Sequence, residues 1–62
     1  MELEYRVTWP RRGRPPERRY KVYKTQAHAR TKIVKLLGHG FKPEDIELWK
    51  RSVKVGEWRL TK

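Results

Sequence analysis

Leu3-Glu4-Tyr5-Arg6-Val7-Thr8-Trp9-Pro10 decides the reading of the fold. Leu3, Tyr5, Val7 and Trp9 fall on one parity and Glu2, Glu4, Arg6 and Thr8 on the other, the period of a half-buried strand rich in aromatic and β-branched residues. Pro10 ends the run, because it cannot donate to a ladder. Arg11-Arg12-Gly13-Arg14-Pro15-Pro16-Glu17 has no apolar side chain besides its prolines and is expected to be loop. A second strand is expected from Arg18 to Lys24, with Tyr20 and Val22 on one face and Arg19, Lys21 and Tyr23 on the other. Strands joined by a short loop pair antiparallel, so the two form a hairpin with a basic tip.

Downstream the period changes. Thr25 is a good N-cap, and from Gln26 to Leu37 the residues Ala29, Ile33, Leu36 and Leu37 gather on one side of a helical wheel, with His28, Thr31, Lys32 and Lys35 opposite. Gly38 and Gly40 around His39 supply a stop, after which Phe41 is expected to fold back on the last turn. Lys42-Pro43-Glu44-Asp45 is a turn, Ile46 to Val53 a third strand, Lys54-Val55-Gly56 a turn, and Glu57 to Thr61 a short fourth strand. The order β-β-α-β-β predicts a single α+β domain over residues 1–62: two layers, an antiparallel sheet with one helix on one face. The expected core is Leu3, Tyr5, Val7, Tyr20, Val22, Ile33, Leu36, Leu37, Ile46, Leu48, Trp58 and Leu60. The uncovered face should then carry Arg6, Thr8, Arg19, Lys21, Tyr23, Trp49, Arg51 and Arg59.

Composition narrows the function. The 62 residues carry 17 Lys/Arg against seven Asp/Glu, a formal charge of +10, with 39% charged and 35% hydrophobic residues. The absence of Cys excludes a disulfide framework and thiolate-bound metal. No apolar run approaches the roughly 20 residues of a membrane span, so no membrane partner is expected. Met1 to Tyr5 has neither the basic nor the apolar region of a signal peptide, so a cytoplasmic location is expected. Three Trp, three Tyr and one Phe are a heavy aromatic load for a disordered tail. The excess positive charge points to a polyanion, most commonly nucleic acid.

Charge and motif converge on the hairpin. Residues 11–24 hold Arg11, Arg12, Arg14, Arg18, Arg19, Lys21 and Lys24 against Glu17, a net of +6 in fourteen residues, leaving +4 for the other 48. Arg12-Gly13-Arg14-Pro15 resembles the core of the AT-hook. That resemblance implies that Gly13 lets the backbone sink into a narrow A·T-rich minor groove while Arg12 and Arg14 lie along its floor. Pro16-Glu17 follows where the family has a further basic residue, and the acid opposes groove binding. The aromatic and basic residues of the uncovered face, chiefly Arg6, Tyr23, Trp49, Arg51 and Arg59, suit either unpaired bases or a protein partner.

The sequence offers little to a catalyst. His28 and His39 have no thiol or carboxylate at ligand spacing, and no Ser/His/Asp or Cys/His set is available; Glu44, Asp45 and Glu47 sit close enough along the chain for a carboxylate pair, but Glu44 and Asp45 read first as turn residues. A non-enzymatic protein without metal or cofactor is expected. Tyr5-Arg6-Val7-Thr8-Trp9, then Tyr23-Lys24-Thr25 ahead of Ala27 and Ala29, then Val55-Gly56-Glu57-Trp58-Arg59 resemble a group of small actinobacteriophage proteins across nearly the whole chain. The resemblance implies a short phage gene product in a bacterial cytoplasm, one that serves host takeover. The expected function is nucleic-acid binding, to duplex DNA rather than RNA: Arg12 and Arg14 enter the minor groove, and Arg11, Arg18, Arg19, Lys21 and Lys24 contact phosphates. The rival is a phage protein that binds and inhibits an acidic host protein.

Overall fold

The computed structural model describes residues 2–11 and 17–61. The expected α+β architecture is present. Strands β1 (Leu3–Pro10), β2 (Arg18–Tyr23), β3 (Glu47–Ser52) and β4 (Arg59–Leu60) and helix α1 (Gln26–Gly38) follow in the predicted order, with a single 3-10 turn at Pro43–Asp45. The strands form one sheet in the order β2-β1-β3-β4, each neighbour pair antiparallel. β1 is central, paired on either side with β2 and β3, and its alternation buries one face and leaves the other open.

Register sets which side chains share a face. β1 and β2 pair Tyr5 with Tyr23, Val7 with Lys21 and Trp9 with Arg19. β1 and β3 pair Val7 with Leu48 and Arg6 with Trp49. The helix side of the sheet therefore carries Tyr5, Val7, Trp9, Tyr23 and Leu48, all members of or packed against the core.

That pairing overturns the parity expected for β2. Tyr20 and Val22 are 67% and 38% exposed and lie on the open face, opposite Thr8 and Arg6, while Tyr23 packs against the core. The loop closes through Arg11 N–H to the Glu17 carbonyl at 2.8 Å, and Pro10 pairs with Arg18, which puts odd residues opposite odd ones. A one-residue change of register turns every side chain of a strand over. Here the register gives the core a tyrosine ring and places Arg19 and Lys21 at the sheet edge beside the helix. Charged side chains on an edge strand also oppose pairing with a second chain.

The expected core needs four further corrections. Leu3 is half-buried and is not among the side chains that pack against the core. Leu37 is 41% exposed, on the outer side of its helix, and Leu60 is 48% exposed. Leu60 pairs with Trp49 on the open face, and Trp58, two residues earlier, stacks there against Arg6. The buried centre is Val7, Ala29, Leu36, Ile46 and Leu48, with Tyr5, Trp9, Tyr23, Ile33 and Phe41 against it. Ala29, Ile33 and Leu36 are the helical contribution, spaced four and three residues apart, so one narrow stripe suffices. Burying an aliphatic side chain such as Val7 or Leu36 stabilises the fold by about 1.5–3 kcal/mol, and a domain this small has few such contributions.

Both ends of α1 are capped. Thr25 Oγ1 accepts the His28 N–H at 3.2 Å. At the other end the Gly40 N–H meets the Leu37 carbonyl and the Phe41 N–H the Leu36 carbonyl, both at 3.2 Å, the double closure of a Schellman motif. Gly40 takes the left-handed position at φ 95°. Phe41 is thereby folded against the core, as its place after the glycines implied.

Candidate nucleic-acid interface

From Arg18 to Pro43 the chain contains no acidic residue, against eight basic ones: Arg18, Arg19, Lys21, Lys24, Arg30, Lys32, Lys35 and Lys42. The fold puts part of this run together. Helix α1 packs over β1 and β2, so the helix face bearing His28, Lys32 and Lys35 comes to lie beside Lys21 on the edge strand. Lys21, Tyr23, His28, Thr31, Lys32 and Lys35 line one open concavity of about 240 Å³. No carboxylate of the described residues lines it. Lys21 and Lys32 each lie over a ring: Nζ of Lys32 sits 4.6 Å from the centre of Trp9, and Nζ of Lys21 sits 5.8 Å from that of Tyr23. The rings support the aliphatic stems and hold the ammonium groups in place, each contact being worth about 0.5–1 kcal/mol at an exposed site.

Burial in this layer raises the Tyr23 hydroxyl above its ordinary pKa of 10.0, because taking the phenolate out of water is costly. Tyr23 thus lines the groove as a neutral hydroxyl at physiological pH. Thr31 donates its hydroxyl to the Ala27 carbonyl at 3.0 Å, which leaves its oxygen lone pairs as acceptors.

The basic residues expected to contact nucleic acid divide into three sets. Arg19, Lys21 and Lys24 are exposed and have no ion pair among the described residues. Arg11 and Arg18 are engaged. Arg11 pairs with Glu17 at 3.1 Å. Arg18 reaches Glu47 at 3.4 Å and donates to Thr8 Oγ1 at 3.0 Å and the Asp45 carbonyl at 2.7 Å, tying the hairpin to the third strand. Arg12, Gly13 and Arg14 lie outside the described residues. The helical lysines Lys32 and Lys35 were not among the expected contacts. Their signal, the acid-free run through the helix, is visible in the sequence once the helix is known to lie beside β2.

The expected sheet-face group of Arg6, Tyr23, Trp49, Arg51 and Arg59 is also divided. Arg6, Trp49 and Arg51 share the open face. Tyr23 belongs to the helix side. Arg59 pairs with Lys50, which pairs with Tyr5, so its parity is also that of the helix side. Tyr20 and Trp58 take their places: the Arg6 guanidinium carbon lies 5.9 Å, 5.5 Å and 4.6 Å from the ring centres of Tyr20, Trp49 and Trp58.

No cluster of three or more His, Cys, Asp or Glu exists among the described residues. No helix among them is long and apolar enough to cross a membrane. No known protein family matches the chain, and neither a curated protein nor a solved structure is significantly similar to it.

Proposed function

We propose that the protein is a small nucleic-acid-binding module that grips the phosphate backbone of duplex DNA with its α1–β2 face and its basic β1–β2 hairpin. One observation carries this reading: Lys21 of the edge strand and Lys32 and Lys35 of the helix line a single concavity that no carboxylate of the described residues enters. Closely spaced ammonium groups without counter-charges are costly to bring together unless a polyanion spans them, and duplex DNA presents a negative charge about every 1.7 Å along its axis. Arg19, on the same parity of β2 as Lys21, extends the strip along the edge strand. In this reading Arg12 and Arg14 lead from the strip into an adjoining minor groove, as the AT-hook resemblance implies. A phage product of this kind would act on DNA in the bacterial cytoplasm.

The test is a salt titration of binding to a labelled duplex. Contact with about 4–6 phosphates gives a slope of log K against log salt near −4 to −5. Charge reversal in Lys21→Glu/Lys32→Glu should abolish binding, while Arg18→Gln, which removes an already paired cation, should leave most of it. Absence of duplex binding at low salt, or binding that ignores salt, overturns the reading.

A further inference from the structure

The open face of the sheet has different chemistry from the helix side. Val22, Arg6, Trp49 and Leu60 form one cross-strand row, with Glu4 and Arg51 paired in the next. Two guanidinium groups share the Trp58 ring, that of Arg6 at 4.6 Å and that of Arg51 at 4.5 Å. Arg51 is complete: its Nη2 and Nε reach Glu4 Oε1 at 2.6 Å and 2.8 Å. Arg6 has the same aromatic bed and no carboxylate among the described residues. Its Nε and the Trp49 Nε1 are both enclosed without an acceptor. With Nε enclosed, the terminal Nη groups of Arg6 are the donors left for a carboxylate.

We propose that Arg6 anchors a docking surface for an acidic segment of a protein partner, a Glu or Asp flanked by apolar side chains, whose carboxylate pairs with the terminal Nη groups of Arg6, the enclosed Nε being out of its reach. The rim of the site selects for a protein. Tyr20, Val22 and Leu60 surround the Arg6–Trp49 pair and are 67%, 38% and 48% exposed, an apolar border that a peptide's side chains cover and a sugar–phosphate backbone does not. Glu4 and Glu47 lie on this same face and repel a run of phosphates, whereas a single carboxylate seated on Arg6 meets an unpaired cation. Trp, Tyr and Arg are the residues that dominate binding energy at protein interfaces, and the +10 charge of the chain draws an acidic partner toward it. This surface is on the opposite side of the sheet from the lysine-lined concavity and stands or falls independently of the nucleic-acid reading.

The experiment is a titration of the isotope-labelled protein with a short peptide carrying one Glu between leucines, followed by NMR, with the Gln–Leu peptide, in which Gln replaces that Glu, as control. The indole N–H signals of Trp49 and Trp58 should shift, and that of Trp9, beneath Lys32 on the other face, should stay. Arg6→Lys keeps the charge and loses the planar fork, and should weaken the peptide's affinity roughly tenfold. Tyr20→Ser, on the exposed rim, should weaken it several-fold in a protein with unchanged melting temperature. Equal affinity for the Gln–Leu peptide overturns the proposal, as do shifts confined to Trp9 or no shifts. Movement of Trp49 and Trp58 by a single-stranded oligonucleotide but not by the peptide overturns it too, and assigns the face to unpaired bases.

Discussion

Tyr23 stands opposite Tyr5 across the β1–β2 hairpin, and both rings pack against the core on the helix side. From this one pairing follows the division of the molecule's charge. Residues of odd number in β2 turn toward the helix and bring Lys21 to the helical lysines; those of even number bring Arg18 to Glu47 and Tyr20 to Arg6. The hairpin's charges thus serve two surfaces.

The core should be sensitive at α1 and tolerant one residue further on. Leu36 is 5% exposed, and Leu36→Ala should lower unfolding free energy by about 2–5 kcal/mol through lost burial and the cavity left behind. Leu37, at 41% exposed, should cost about 1 kcal/mol or less on the same substitution. Urea unfolding of the two variants checks this, and equal losses would contradict the helix orientation.

Register can be tested in the hairpin itself. Tyr23→Ala removes a half-buried ring packed against the core and should destabilise by about 2–3 kcal/mol, somewhat less than a fully buried aromatic truncation. Tyr20→Ala removes a ring that is 67% exposed and should cost about 1 kcal/mol or less. Thermal melts giving the reverse order would restore the opposite parity for β2.

The raised pKa of Tyr23 has a signed consequence for stability. The folded state holds the phenolic proton more tightly than the unfolded chain does. The contribution is therefore complete below the ordinary value of 10.0 and is lost as pH rises from there through the folded value. Tyr23→Phe has no proton to lose, so the wild type should lose stability relative to this variant above pH 10.0, and the two should run parallel below it. Denaturant midpoints measured on both sides of that pH decide it.

Cations in the hairpin should fail in two ways on DNA. Lys21→Ala should weaken binding to every duplex alike and reduce the salt slope by about 1. Arg14→Ala should cost more on A·T-rich than on G·C-rich duplexes, because a minor-groove arginine senses groove width. Gly13→Val should mimic Arg14→Ala at unchanged net charge, since a branched side chain blocks close approach to the groove floor. Anisotropy titrations on the two duplexes provide the readout; equal losses on both would remove AT-hook behaviour and leave a basic strip.

Local order was legible in the sequence wherever one segment carried its own instruction. The alternation of Leu3 to Trp9, the Thr25 cap, the helical stripe of Ala29, Ile33, Leu36 and Leu37 and the glycines before Phe41 each concern contacts within a few residues, and each specified its element, although Leu37 turned out to lie outside the buried stripe. The face of β2 did not follow from its own residues. Tyr20 and Val22 are as apolar as a core requires, and Tyr23 continues the strand one step later with a ring of equal size. The choice between them was made by the pairing of Pro10 with Arg18 and the docking of α1 against Tyr23, which are relations between segments. The same holds for the candidate surfaces. Sequence alone determined a basic, aromatic-rich α+β chain with its charge concentrated at one hairpin. Only tertiary structure decided that Lys21 joins Lys32 and Lys35, that Arg18 is committed to Glu47, and that Arg6 lies among three rings without a carboxylate. A strand presents alternate residues to opposite faces, so which charges act together depends on register, and register is fixed only when the segments pack.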